Sequence, residues 1–363
     1  MEQAQIDPES SFSQLARELF VLQFEHNTPY RRSCEVRRVR PEQVTSWAEI
    51  PAMPTEAFKE LELSCLPGEH RTAVFHSSGT TGQRPSRHFH NSESLSIYEA
   101  SLLPWFEAHL LADGLRLRPG RGSAGKLQMI CLTPTAGSAP HSSLAHMFET
   151  VCREFGSVEC VFAGKVAEDG GWTLDEEAVI EAFGKAIAAK RPVTILGTAF
   201  SFVHLLESLA KKNLRFELVC GSRAMETGGY KGRSRSLSKA DLHQLISRRL
   251  GIPPDCIVCE YGMSELSSQA YDLTIGEKTL PASPFGSRSF VFPPWARVKI
   301  VSPETGREVG EGETGLIRVF DLANVYSVMA VQTEDLGIRH GVGFELLGRA
   351  AQAETRGCSL LAC

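Results

Sequence analysis

The densest concentration of chemical groups in the sequence is Phe75-His76-Ser77-Ser78-Gly79-Thr80-Thr81-Gly82-Gln83-Arg84-Pro85. Two glycines among four hydroxyl residues make a loop whose backbone N–H groups can face an anion. The hydroxyls add donors to that anion, or ligands for a magnesium ion. The loop is not of the GxxxxGK[ST] kind. Its alternative is a plain Ser/Thr/Gly surface turn. A second group is Glu260-Tyr261-Gly262-Met263-Ser264-Glu265. Here Tyr261 can stack on a flat base, Gly262 lets a ligand approach the backbone, and Glu265 can hold magnesium. The alternative is a strand-end turn with a solvated glutamate. Further on, Thr333-Glu334-Asp335-Leu336-Gly337 offers a carboxylate that can accept both hydroxyls of a ribose, and Gly348-Arg349 a guanidinium for a phosphate. Cys256 and Cys259 form a CxxC with no second pair or histidines nearby, so they read as core residues of a buried strand.

The flanking pattern indicates which elements hold these groups. Thr72 to His76 reads as a strand running into the glycine-rich loop, taken as residues 75–86. From about residue 127 strands and helices alternate. Strands are expected at 127–132, 158–162, 192–197, 216–220 and 256–261. Helices are expected at 142–155, from Asp175 onward, at 200–212, and at 238–250 with Gly251 as the stop. This alternation predicts an α/β core of mostly parallel strands covered by helices, with ligands at the carboxyl ends of the strands. An amphipathic helix over 12–24, stopped by Asn27 and Pro29, opens the chain, and a short helix contains Phe58. Residues 296–301 and 314–320 read as strands around the turn GREVGEGETG. The expected division is an α/β core at 1–285, a small β-rich subdomain at 286–349, and a cysteine-bearing tail at 350–363.

Composition excludes several classes. With 38 Lys+Arg against 43 Asp+Glu, the net charge of −5 carries no basic excess for nucleic acid or an anionic membrane surface. The mean hydropathy of −0.13 goes with the lack of an uncharged apolar run long enough to span a bilayer. The first ten residues, MEQAQIDPES, lack the apolar stretch of a signal peptide, so a cytoplasmic protein is expected, with most of the ten cysteines reduced.

Taken together and in their order, SSGTTG, YGMSE, GEGETGLIRV, TEDLG and GR resemble the sequence motifs of the adenylate-forming superfamily. That superfamily includes acyl-CoA synthetases, adenylation domains and firefly-type luciferases. Within it, the chain is most similar to acyl-protein synthetases of the LuxE type. IPAMPTEAFKE (50–60), SSGTTGQRPSRHF (77–89), Glu226 to Gly232 and Arg356-Gly357-Cys358-Ser359-Leu360 carry that likeness, which covers nearly the whole chain. The resemblance implies an acid activated by ATP as an acyl-adenylate, with pyrophosphate released and the acyl group passed to a thiol. It implies that Ser77, Ser78, Gly79, Thr80, Thr81 and Gly82 hold the β,γ-phosphates, and that Glu265 with Thr80 places magnesium. Gly228, Gly229 and Tyr230 would frame the adenine with Tyr261 and its neighbours Gly262, Met263 and Ser264. Asp335 would hold the ribose and Arg349 a ribose or phosphate oxygen.

The sequence also departs from the pattern. The superfamily's phosphate loop usually ends in Pro-Lys, whereas Pro85-Ser86-Arg87-His88 stands here. Arg87 is then the candidate cation and His88 a candidate aid to the carboxylate, the alternative being that His88 and His90 are two exposed strand histidines. Cys358 best matches the acyl-carrying cysteine implied by the family, with Cys363 as competitor; alternatively Cys358 packs the last turn of the chain. The acid is expected between segments 131–146 and 197–206, including Ser142, Ser143, Gly197 and Phe200. Lys231, Arg233, Arg235 and Lys239 form a basic loop that can dock an acidic carrier protein or the phosphates of CoA, or simply be solvated. The rival acceptors are CoA and a carrier-protein phosphopantetheine, and the rival of another class is a non-catalytic nucleotide-binding subunit. Fourteen residues follow Arg349, too few for the lid domain that follows the hinge in the superfamily, so a lidless adenylating core is expected.

Overall fold

The computed structural model describes residues 7–77, 84–113, 126–168, 170–228, 237–276 and 288–350. In chain order the elements are α1 (Pro8–His26), α2 (Thr28–Val36), β1 (Met53–Pro54), α3 (Ala57–Glu60), β2 (Ala73–His76), β3 (Arg87–His90), α4 (Ser92–Leu110), β4 (Gln128–Cys131), α5 (Ser143–Phe155), β5 (Val161–Phe162), β6 (Gly164–Val166), β7 (Trp172–Leu174), α6 (Glu176–Ala188), β8 (Val193–Thr198), α7 (Ala199–Lys211), β9 (Arg223–Thr227), α8 (Lys239–Leu250), β10 (Ile257–Tyr261), β11 (Ala270–Tyr271), β12 (Ala296–Val301), β13 (Thr314–Asp321), β14 (Ala330–His340) and β15 (Gly343–Arg349).

The central sheet has six strands in the order β11-β10-β9-β8-β4-β5, parallel except for β11. Its strands are apolar on both faces because helices cover both. Alternate residues sort the two cores. Ile130, Ile195, Ala224 and Ile257 point to α6, α7 and α8, where they meet Phe183, Phe202 and Ile246. Their neighbours Cys131, Leu196, Met225 and Val258 point to α4 and α5, where they meet Phe106, Phe148 and Phe155. The capping residues anticipated from sequence do their work: Asp175 accepts from Ala178 N at 3.1 Å, and Gly251 ends α8 with φ 70°.

One expected strand is absent. Phe216 to Cys220 is irregular, because Phe216 N and Leu218 N donate to Arg249 O and Leu250 O at the end of α8 and Leu218 inserts into the core there. The sheet position is filled instead by β9. Asn27 ends α1, as expected, but Pro29 does not break the chain's helical run. The Asn27 side chain accepts from Tyr30 N at 3.2 Å and caps α2, with Pro29 in the first turn, where its missing N–H is harmless.

The second sheet has the path β1-β14-β13-β12, with β15 also on β14. The turn GREVGEGETG joins β12 to β13, with Gly306 and Gly312 at φ 66° and 76°. The N-terminal helices pack on this sheet: Phe12, Phe20 and Tyr30 share a core with Ile300, Val319 and Val331. Gln23 and Asn27 fasten α1 to the segment after β13. Gln23 donates to Asn324 O (2.8 Å) and accepts from Met329 N (3.0 Å), while Asn27 donates to Ser327 O (3.2 Å). Residues on both sides of position 285 therefore share one core. Among the described residues no helix is long and apolar enough to cross a membrane.

Candidate active site

β2 and β3 form a two-stranded antiparallel hairpin that carries the glycine-rich loop at its tip, with His76 opposite Arg87 and Phe75 opposite His88. Ser77 closes the mouth of the loop: its hydroxyl accepts from Ser86 N at 3.0 Å. Ser78, Gly79, Thr80, Thr81 and Gly82, together with Gly229, Tyr230, Lys231, Arg233, Arg235, Cys358 and Cys363, lie outside the described residues, as does nearly all of the basic 116–126 loop.

The hairpin is clamped to the turn after β10. The His88 ring faces Ser264 O at 2.8 Å, so Nδ1 carries the proton and donates. Ser86 and Ser264 hydroxyls stand 3.5 Å apart, and the Ser264 hydroxyl donates to Glu265 Oε2 at 3.0 Å. His88 and His90 are 3% and 1% exposed, so they are not surface histidines. Burial holds the His88 imidazole down at about 4, against the pull of the Ser264 carbonyl, and takes His90 to about 2, with His88 and His146 adding to the effect. Both are neutral near pH 7. Sequence alternation alone hid this, because one face of a two-stranded hairpin is buried only when a helix covers it. Here α4 does so, packing Tyr98 toward His90 with ring centroids 6.5 Å apart.

Arg87 points the other way, as the two-residue period of a strand requires. Its guanidinium lies 3.3 Å from the Glu62 carboxylate and 5.7 Å from the centre of the Phe89 ring. Glu62 also binds Arg71 at 2.6 Å. The candidate cation of the phosphate loop is thus engaged on the outer face of the hairpin, opposite His88.

The second convergence joins Tyr261, Asp335 and Arg349. Tyr261 ends β10 and its hydroxyl donates to Asp335 Oδ2 at 2.9 Å. Burial pushes its phenol well above the ordinary range and the Asp335 carboxylate adds to that, so the hydroxyl is a permanent donor. The ring meets Phe344, Phe290 and Phe292 edge-on at 5.4, 6.1 and 6.2 Å. Asp335 pairs with Arg349 across β14 and β15, which sets Arg349 Nε 3.9 Å from Asp335 Oδ1. Three residues from motifs 74 and 14 positions apart in sequence meet in one place.

Gly228 ends β9 at φ 72°, a backbone that favours glycine, and Gly262 has no room for a side chain because a Cβ there would strike the Glu260 carboxylate. Glu260 is buried and bonded by the Thr227 hydroxyl; burial raises its carboxyl to about 7, the Thr227 bond opposing. Sequence reading missed Glu260 as a titrating group; the signal was its place inside an apolar strand. Met263 packs against the core of the second sheet. Glu265 is 5% exposed, and its carbonyl accepts from Asn324 Nδ2 at 2.9 Å. Among the described residues no cluster of three or more His, Cys, Asp or Glu could hold a metal ion. A single buried carboxylate suits an ion held chiefly by phosphate oxygens and water, as magnesium is in nucleotide sites.

The expected acid-binding residues lie at the carboxyl ends of β4 and β8. Ser142 caps α5 by accepting from Ala145 N at 3.1 Å, and Ser143 opens that helix. Gly197 packs against Leu132 and Ser201, where a Cβ would fall 2.8 Å from Ser201 Oγ and force a shift, and Phe200 lies half-buried in the first turn of α7. Lys239 is not in a solvated loop: it opens α8, 3.6 Å from Asp272 and 4.3 Å from the centre of the Phe290 ring. All eight described cysteines are free thiols, Cys259 being buried in β10.

This architecture is that of the adenylate-forming ligases. The solved structure of 2-hydroxyisobutyryl-CoA ligase with 2-HIB-AMP superimposes with a TM-score of 0.65 over 94% of this chain and 67% of that one, at 14% identity, which is a likeness of fold. An ATP-bound RpMatB-BxBclM chimera gives 0.51 over 78% of this chain and 49% of that one, at 18% identity. The sequence profile of the acyl-protein synthetase, LuxE, family matches residues 157–362, more than half of the chain, and the chain belongs to that family. The long-chain-fatty-acid–luciferin-component ligase of Aliivibrio fischeri is 23% identical over 95% of this chain and 86% of its own length. Its namesake from Vibrio harveyi is 22% identical over 96% and 86%.

Proposed function

We propose that this enzyme activates a carboxylic acid, of fatty or aryl type, with ATP and passes the acyl group to a protein thiol. The acid's carboxylate attacks the α-phosphorus, the bond to the bridging oxygen breaks, and pyrophosphate leaves with the electron pair. A thiolate then attacks the acyl carbon of the mixed anhydride and AMP departs. The observation that carries this reading is the convergence of Tyr261, Asp335 and Arg349 beside a phosphate-loop hairpin clamped to Ser264 and Glu265. Asp335, fixed by the Tyr261 hydroxyl, would accept the ribose hydroxyls, and Arg349 would contact a ribose or phosphate oxygen. The loop from Ser77 to Gly82 would hold the phosphates, with Gly228, Gly229 and Tyr230 framing the adenine. Magnesium, held by Glu265 and Thr80, would neutralise the phosphate charge. The first step then depends on positioning and fixed charge rather than on protein nucleophiles.

Cys358 is the proposed acceptor, with Cys363 the competing one and a partner protein or CoA the acceptors in trans. A cysteine-bearing tail at 350–363 goes with this reading, as does a cytoplasmic location, whereas the expected boundary at 285 gives way to the core shared across it. The test is carboxylate-dependent ATP–pyrophosphate exchange over a panel of acids, followed by isolation of a hydroxylamine-labile acyl-protein. Cys358→Ser is expected to keep the exchange and lose the acyl-protein. An acyl-protein that survives in both Cys358→Ser and Cys363→Ser removes the tail from the mechanism, and absence of exchange with every acid removes the adenylation.

A further inference from the structure

The turn at 262–269, between β10 and β11, carries Glu265 and lies outside both strands. Its buried backbone amides must therefore find acceptors away from any ladder. Asp321, the fully buried last residue of β13, supplies them. Its Oδ2 accepts from Ser267 N at 2.9 Å and from Ser268 N at 2.8 Å. Its Oδ1 accepts from the Ser268 hydroxyl at 2.7 Å and from Ala323 N at 3.0 Å. Three residues on, Asn324 uses both ends of its amide. Nδ2 donates to Glu265 O at 2.9 Å and to Val328 O at 2.8 Å, while Oδ1 accepts from the Ser267 hydroxyl at 3.0 Å.

These bonds enclose Glu265. The carbonyl before it is held by His88, its own carbonyl by Asn324, and the second and third amides after it by Asp321. Leu266, between them, sits in the apolar core shared with the second sheet. The direction in which the Glu265 side chain leaves the backbone is thus set by the β13–β14 connection as much as by the hairpin. That connection is secured in turn by α1, whose Gln23 donates to Asn324 O and Val325 O at 2.8 and 3.0 Å. A buried network with its members bonded in this way rigidifies what it holds. Asp321, Asn324 and Ser267 belong to none of the sequence motifs, yet they grip the carboxylate-bearing turn from behind.

We propose that Asp321 and Asn324 are positioning residues for the Glu265 carboxylate, fixing it for the magnesium that accompanies ATP. Metal affinity is thereby tied to the connection between two strands of the second sheet. This role rests on the ATP-dependent reading above and extends it from the motif residues to the scaffold behind them.

The test is calorimetric titration of the full chain with ATP, with and without magnesium, alongside a urea midpoint for each protein. The proteins are the wild type, Asn324→Ala, Ser267→Ala, Glu265→Gln and the double variant Asn324→Ala/Glu265→Gln. Loss of a group that orients a metal ligand typically lowers metal affinity roughly 10- to 100-fold. Asn324→Ala is expected to weaken binding of ATP with magnesium by about tenfold or more, and to leave metal-free ATP binding unchanged. Ser267→Ala removes a single hydroxyl and is expected to shift the same quantity about two- to threefold. In the Glu265→Gln background, Asn324→Ala is expected to add less than about twofold, because it acts through a carboxylate already lost. A merely structural role would lower the urea midpoint and leave the magnesium-dependent part of the affinity where it was. Wild-type magnesium dependence in whichever single variants fold, or effects that add in full in the double variant, overturns the positioning role and leaves ATP binding standing. No ATP binding by the wild type, or binding indifferent to magnesium, overturns the reading beneath it.

Discussion

The two halves of the candidate site are built on opposite plans. The hairpin half is clamped to its neighbour by buried bonds: His88 holds Ser264, Ser86 approaches it, and Ser264 holds Glu265. The Tyr261–Asp335 half reaches nearer the surface. Asp335 is fixed by Tyr261, but its other carboxylate oxygen is 3.9 Å from an Arg349 side chain that is 74% exposed. The first half is wholly buried, whereas the second ends in the exposed Arg349 side chain. The difference teaches that mutations in the two halves should separate stability from affinity.

The largest effect is expected in the hairpin half. His88→Ala removes a buried ring and strands the Ser264 carbonyl, at a cost of about 3 kcal/mol in stability. The urea midpoint should fall accordingly, and exchange activity with it. The pH dependence has a definite sign. The folded His88 value of about 4 lies below the unfolded one near 6.5, so the unfolded chain binds the extra proton between those values. His88 thus contributes fully above about pH 6.5, and its contribution declines as pH falls toward 4. The stability gap between wild type and His88→Ala should narrow over that window. A gap independent of pH would mean that His88 is not held neutral by the fold.

Next in size, and different in kind, is Asp335→Ala. Its carboxylate is one-fifth exposed, and the loss leaves the buried Tyr261 hydroxyl without its acceptor, so stability should fall by about 1 kcal/mol, less than for His88→Ala. The KM for ATP should rise roughly 10- to 100-fold, the range expected when a charged hydrogen-bond acceptor is lost from a ligand. A loss of stability equal to that of His88→Ala would erase the contrast between the two halves.

The same contrast explains what the sequence revealed. The central sheet was legible because its strands are short apolar runs bounded by capped helices, such as Asp175 ahead of α6 and Gly251 after α8. The site motifs were legible as residue types, though not as partners: nothing in the spacing shows that Tyr261 bonds Asp335, or that His88 bonds Ser264, because long-range pairing decides both. The strand expected at 216–220 failed for a related reason, since its apolar residues serve the end of α8 and the sheet continues at Arg223–Thr227 instead. His88 and His90 misled because exposure of a hairpin face depends on α4, whose run from Ser92 to Leu110 contains Pro104 and several serines that obscure its helical pattern.

The smallest expected effect falls on the residue that sequence favoured as a catalytic cation. Arg87 lies on the outer face of the hairpin, paired with a Glu62 that is 52% exposed and already holds Arg71. An ion pair of that exposure contributes about 0–1 kcal/mol, so Arg87→Ala should leave the urea midpoint nearly unchanged. Exchange should likewise change less than about threefold, because the guanidinium is engaged by Glu62 on the hairpin face away from His88. A collapse of exchange with unchanged stability would reverse the assignment. It would mean that Arg87 leaves Glu62 when the nucleotide binds, and that the outer face of the hairpin belongs to the site as much as the clamp beneath it.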